Sequence, residues 1–442
     1  MDYGRERGRI TFAGRVLHSV QHGLRSIGQR LVGGHWDLAK LGWAARVPVL
    51  PEWVRRHHRP HVWQRQDIPV PEKLRTVKGI WRDPDKEEEA YRRQPLHAFF
   101  QIHSKAAQDM LDHGWEYLIP TAPRYMRGVA SLRRARRANK KLDATAMKPL
   151  PISPAERSQR LREEAARIGL SAIGFAAYDP KYMWEEFAAR HETGSVIVCI
   201  YEQDFEDTQT APSARAERAA FFAYSELMDR AARLSEFVQG LGGKAQPQGP
   251  VGEGLVIHYG VQAGLGQLGL NGQLLTPAAG SRARIVLITT NLELEHDEPK
   301  DFGVNAICDE CQVCAKRCPV GAIPVKRAEH RGVVKAKIKT ERCFPVVARV
   351  EGCAICMKTC PVQRYGIDRV IEHRERTGEI LGKGGDELEG YRWPLDGRFY
   401  GVGEKPAVSS ESLVHPPGWE LDVSQTSPPE QPVQAGSPAS NH

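Results

Sequence analysis

Hydrophobic positions divide the chain into three regimes. Residues 9–32 place Phe12, Val16, Val20, Leu24, Ile27 and Leu31 three or four apart, the period of an amphipathic helix. Arg15, Arg25 and Arg30 lie off that stripe. A basic amphipathic helix can make peripheral membrane contact, but packing on its own domain is the preferred reading. Residues 36–150 are rich in Trp, Pro and Arg and keep no strong period, so residues 1–150 read as a basic N-terminal wrapping segment. From residue 151 the pattern becomes regular. Ser153-Pro154 opens a helix, with serine as cap and proline in the first turn. SAIGFAAYD (171–179), SVIVCIY (195–201) and RARIVLITT (282–290) read as strands. Residues 213–240 form a long helix halted by Gly242-Gly243, and 253–265 a shorter one. Strands alternating with helices predict an α/β (α+β) layer domain over 151–302. Residues 303–366 are short and loop-rich, 367–403 form a return segment, and 404–442 turn to Ser, Pro, Gln and Gly, a composition that predicts disorder.

A chain of 442 residues with 41% hydrophobic and 26% charged residues has room for two or three globular domains. No apolar stretch is long enough to span a bilayer, and the N-terminus lacks a signal-peptide core, so a cytoplasmic location is expected. The net charge of +8 is uneven: residues 124–141 carry eight Lys or Arg and no acid. With one aromatic, Tyr125, and no nucleic-acid module around it, this run reads as a solvated helix face or a dock for an acidic electron carrier rather than a nucleic-acid site.

Cysteine usage changes the picture most. Eight of nine cysteines lie between Cys308 and Cys360 in two arrays, each ending in Cys-Pro. The first is Cys308, Cys311, Cys314, Cys318; the second is Cys343, Cys353, Cys356, Cys360. This is ligand spacing for two 4Fe–4S clusters, hence for electron transfer. A compact turn aims three thiolates at one cluster, while the cysteine before proline points to the other. The expected sets are therefore Cys308, Cys311, Cys314 and Cys360, and Cys318, Cys343, Cys353 and Cys356. Zinc would need only paired ligands, and disulfides an oxidising compartment. Cys199, inside SVIVCIY, reads as a buried strand residue.

The segment AGLGQLGLNGQLLTPAAGSRAR (263–284) is rich in glycine. Gly264, Gly266, Gly269 and Gly272 permit tight turns and suggest backbone contact with a bulky cofactor. GLGQLG matches a dinucleotide fingerprint, but no strand precedes it.

In combination these motifs resemble the reductive dehalogenase family. The resemblance rests on Ala263-Gly264-Leu265-Gly266, Asn271-Gly272, Gly280 with Arg282 and Arg284, Phe302-Gly303-Val304, both cysteine arrays and Tyr224-Ser225-Glu226, and covers about residues 155–400. It implies a nitroreductase-like core holding base-off cobalamin, followed by a ferredoxin-like domain with two 4Fe–4S clusters. It implies cofactor contact by Gly264, Gly266, Gly269, Asn271 and Gly272, and a proton donated by Tyr224. A phenol titrates near 10 in water and needs cationic help to act near neutral pH, which Arg284 would supply, with Arg282 as the alternative. The implied substrate is an organohalide, and the implied partner a low-potential donor such as ferredoxin or flavodoxin. Some dehalogenases carry an asparagine where this chain has Pro250 or Val251, neither of which donates a side-chain hydrogen bond. Epoxyqueuosine reductase, a more distant likeness, uses an aspartate in this region; the sole acid between 244 and 258 here is Glu253. An electron-transfer protein without a substrate of its own is the third reading.

Overall fold

The structure, a computed structural model, describes residues 118–408 except 144–146, 184–189, 250–252, 278, 331–332, 340–341, 344–345 and 348–349. The helix expected at 9–32, the wrapping segment up to 117, Pro250, Val251 and the tail from 409 lie outside the described residues.

The layer domain is built on one four-stranded sheet. Its strands are β1 (Ala172–Ala177), β2 (Ser195–Glu202), β3 (Ala245–Pro247) and, beyond a two-residue hairpin of β4 (Gln267–Leu268) and β5 (Leu274–Leu275), β6 (Ala283–Thr290). The order is β1-β2-β6-β3, and every pairing is antiparallel. The class is thus α+β. Central strands are apolar on both faces because both are covered. Phe175, Ile197, Cys199, Val286 and Ile288 face one core, with Leu161 and Ala165 of helix α1 (Pro154–Arg167) and Leu227, Ala231, Leu234 and Val238 of helix α2 (Ala214–Gly240). The alternate residues Ala176, Val196, Val198, Ile200, Ile285 and Leu287 face a second core with Tyr259 of helix α3 (Val256–Gln262). Period-two alternation sorts one sequence run into two cores.

The predicted cap holds. Ser153 accepts from the Glu156 amide, with Pro154 at the first position of α1. Ser213 caps α2 by accepting from Ala216. The shorter helix spans 256–262 rather than 253–265. A larger departure concerns Leu118–Lys141, assigned above to a wrapping segment without period. It is a helix of 24 residues. Leu132 and Ala135 are buried, and Ser131 Oγ donates to Asp229 Oδ1 on α2 at 2.8 Å. The layer domain therefore reaches back beyond residue 151. Arg124, Arg127, Arg133, Arg134, Arg137, Lys140 and Lys141 stay exposed, as a solvated face requires. No helix among the described residues is long and apolar enough to cross a membrane.

Helices α4 (Val304–Cys311) and α5 (Val313–Arg317) carry the first cysteine array; α6 (Ile355–Lys358) and α7 (Pro361–Tyr365) carry the end of the second. Helix α8 (Ile367–Thr377) follows, and the chain then returns across the second array, burying Tyr391, Trp393 and Tyr400 against Val346, Val350 and Ile355. Val408 packs there too, so the return segment runs past residue 403.

Candidate cluster sites and catalytic pair

Local backbone shapes each array. Gln312, left-handed at φ 56°, breaks the helix between Cys311 and Cys314 and folds three thiols into a small volume. Cys353 and Ala354, at φ 53° and 55°, do the same ahead of Cys356. Cys318 (ψ 119°) and Cys360 (ψ 118°) are extended. Proline disfavours the helical region for the residue before it, so each Cys-Pro cysteine leaves its own turn.

The consequence is a crossing of the arrays. One small cavity is lined by Cys308, Cys311, Cys314 and Cys360, closed by Leu270, Asn271 and Leu275 of the glycine-rich hairpin. Those four cysteines are the set expected for one cluster. Cys353 and Cys356 in turn lie within electrostatic reach of both Cys343 and Cys318. Cys314 also feels Cys356, so the two sites adjoin. Burial pushes up the thiols of Cys308, Cys311, Cys314, Cys353, Cys356 and Cys360. Buried thiolates need a compensating cation, which iron supplies; the donor set fits two clusters. Neighbours help as well: Ala322 N–H donates to Cys318 Sγ at 3.2 Å, and the Leu270 amide and the Arg327 charge favour the Cys308 thiolate. Cys199 is fully buried in β2, as expected.

The glycines of this hairpin are closely packed by the chain itself. A Cβ on Gly266 would stand 2.4 Å from Leu275 O, and on Gly264 2.5 Å from Glu298 O. Gly269 and Gly272 are likewise closed off, by Asn271 Oδ1 and Ile338 Cδ1, each at 2.7 Å. The close approach they permit is to this chain itself. Asn271 is 1% exposed, and its Nδ2 donates to Cys356 O at 3.2 Å, so its side chain secures the second array.

Tyr224 on α2 and Arg284 on β6 are brought together. The Arg284 guanidinium carbon lies 5.3 Å from the Tyr224 ring centroid. Antiparallel pairing sets Arg284 opposite Tyr201, and Arg284 shares the α2 face of β6 with Val286 and Ile288. Its Nε donates to Gln203 Oε1 at 2.9 Å, and its Nη2 donates to the same oxygen. Gln203 is 1% exposed and donates in turn to Ala216 O on α2 at 3.3 Å. No local signal marks Gln203; the register places it. Arg282 is not part of this pair. It is buried, ion-paired with Glu202, and stacked 5.0 Å from the Phe205 centroid. Burial lowers its pKa, and Glu202 opposes that effect.

Residues 307–377 match the 4Fe-4S dicluster domain family. Over 155 residues the chain is 39% identical to tetrachloroethene reductive dehalogenase of Dehalobacter restrictus, covering 35% of this chain and 27% of that protein. Over 92 residues it is 33% identical to epoxyqueuosine reductase of Lactococcus garvieae, covering 20% of this chain and 25% of that one. A solved reductive dehalogenase, whose structure suggests a mechanism for B12-dependent dehalogenation, superposes with a TM-score of 0.50 at 19% identity, over 73% of this chain and 48% of that chain. The match spans about a quarter of each curated relative's length and about half of the solved chain. The chain thus has a dicluster iron–sulfur segment beside an α+β layer. That fold is the one found in reductive dehalogenases.

Proposed function

We propose that the protein is a cobalamin-dependent iron–sulfur reductase that removes halogen from an organohalide. The Tyr224–Arg284 contact carries this reading: a phenol and a permanent cation meet on the layer that adjoins two thiol sets. The overall change is organohalide plus two electrons and one proton, giving the dehalogenated product and halide. Bound cobalamin would supply the low-valent cobalt that breaks the carbon–halogen bond. Tyr224 Oη holds the proton and delivers it to carbon. Arg284, facing the ring, stabilises the phenolate left behind. Gln203 fixes the guanidinium by accepting from two of its nitrogens. Clusters held by the two cysteine sets would relay electrons inward from a low-potential donor such as ferredoxin or flavodoxin, in the cytoplasm, where thiols stay reduced. The glycine-rich hairpin serves this reading by joining the layer to both cysteine arrays. An epoxyqueuosine-type reaction finds less support, because Glu253 is buried and ion-paired with Arg136 at 2.7 Å.

The test is an anaerobic inventory of iron, acid-labile sulfide, cobalt and extracted corrinoid, followed by turnover of chlorinated and brominated substrates with a chemical donor. Two clusters, one corrinoid and halide release are expected. Full cofactors without halide release from any organohalide would defeat the substrate assignment, and absence of corrinoid would defeat the whole reading. Tyr224→Phe should keep the cofactors and lower turnover about 100- to 10,000-fold, the usual contribution of a general acid.

A further inference from the structure

Arg317 is 2% exposed, and a buried guanidinium needs a counter-charge. Its hydrogen-bond acceptors are backbone carbonyls: Nε donates to Glu389 O at 3.2 Å and Nη2 to Tyr400 O at 3.3 Å. Its guanidinium carbon lies 5.1 Å from the Tyr391 ring centroid, and Tyr391 Oη donates back to Arg317 O at 3.3 Å. Lys358, half-buried on α6, also donates to a carbonyl, that of Gly390. Both cations adjoin the second thiol set. Arg317 directly precedes Cys318, and Lys358 lies between Cys356 and Cys360. The Tyr391 hydroxyl feels Arg317, Cys318 and Cys353 at once. The first thiol set differs: Arg327 beside it is neutralised by Asp309 at 2.9 Å, and Lys383, which also acts on Cys311 and donates to Glu310 O at 2.9 Å, is exposed to solvent.

A 4Fe–4S cluster on four thiolates is an anion, and reduction adds a further negative charge. A buried cation that no carboxylate compensates therefore favours the reduced form. We propose that Arg317, assisted by Lys358, is the counter-charge of the cluster held by Cys318, Cys343, Cys353 and Cys356, and raises its reduction potential. This rests on the two-cluster assignment above, not on the identity of the substrate. Iron and sulfide content tests that assignment separately.

The experiment is a redox titration followed by electron paramagnetic resonance on anaerobically loaded full-length protein. Cys318→Ser first identifies which signal belongs to this cluster. Arg317→Gln should then lower the reduced-to-oxidised ratio of that cluster at least tenfold at a fixed poise, about 59 mV for one electron. The other cluster's signal should hold its potential. Arg317→Lys should retain the wild-type value, and Lys358→Gln should shift in the same direction by less. A lower melting temperature with an unmoved potential in loaded Arg317→Gln would make Arg317 a mere brace and overturn the proposal. If Arg317→Gln does not retain iron, Lys358→Gln decides, since it removes a charge but leaves both Arg317 hydrogen bonds; an unmoved potential there overturns the proposal equally.

Discussion

At the scale of the residue, reactivity depends on neighbours that local sequence does not specify. Resemblance singles out Tyr224 and Arg284 as candidates, but nothing local singles out Gln203, because its place depends on β2–β6 register and on its reach to Ala216. Gln203→Leu removes the acceptor for two guanidinium nitrogens. Hydrogen bonds to charged groups contribute about 1.5–3 kcal/mol, so kcat should fall about tenfold to a hundredfold. Gln203→Glu keeps an acceptor and should restore most of that loss, whereas a general packing defect would not be rescued so selectively. Arg282 shows the opposite outcome. Two arginines one residue apart read alike in sequence, but Glu202 and Phe205 claim one of them. Arg284→Ala should therefore depress turnover with little change in melting temperature. Arg282→Ala should do the reverse, by leaving Glu202 without its partner.

At the scale of the element, proline made the cysteine arrays readable. The extended backbone before Pro319 and Pro361 is a one-residue effect, so the crossing of Cys318 and Cys360 follows from the sequence alone. Cys360→Ser should accordingly damage the cluster shared with Cys308, Cys311 and Cys314. The check is iron content with paramagnetic resonance, and loss confined to the other signal would contradict the cavity geometry. The packing of the glycine-rich hairpin was not legible, for the converse reason. Its glycines accommodate partners distant in sequence, such as Glu298 and Ile338, which no local pattern announces. Gly280 makes the sharpest case. It sits at φ 50°, and a Cβ would stand 2.4 Å from Gln363 Cα on α7. Gly280→Ala should destabilise the protein by about 1 kcal/mol or more, read as a lower melting temperature, because strain and a backbone clash act together.

At the scale of the whole molecule, one buried histidine links stability to pH. His191 is 8% exposed, and neither ring nitrogen meets a hydrogen-bond partner. Burial lowers its pKa from 6.5, outweighing nearby Glu253, while Arg136 adds to the lowering. The unfolded chain therefore binds a proton near pH 6.5 that the folded protein takes up only at lower pH. The associated stability is complete above about pH 6.5 and is lost as pH falls toward the folded value. Melting temperatures at pH 7.5 and 6.0 should differ less in His191→Gln than in wild type. Acid damage to iron–sulfur centres affects both proteins alike and cancels in the comparison. An equal difference in the two would refute this role.

The glycine-rich hairpin also has a consequence for maturation. Leu270 lines the cavity of Cys308, Cys311, Cys314 and Cys360, while Asn271 holds the carbonyl of Cys356, so adjacent residues of one short turn touch both iron-binding loops. A chain without iron lacks the clusters that hold those loops in place, and the hairpin then loses its supports on both sides. Cofactor insertion should have an order, iron first and corrinoid second. Apoprotein offered corrinoid alone should retain little after gel filtration, and prior iron–sulfur reconstitution should restore retention.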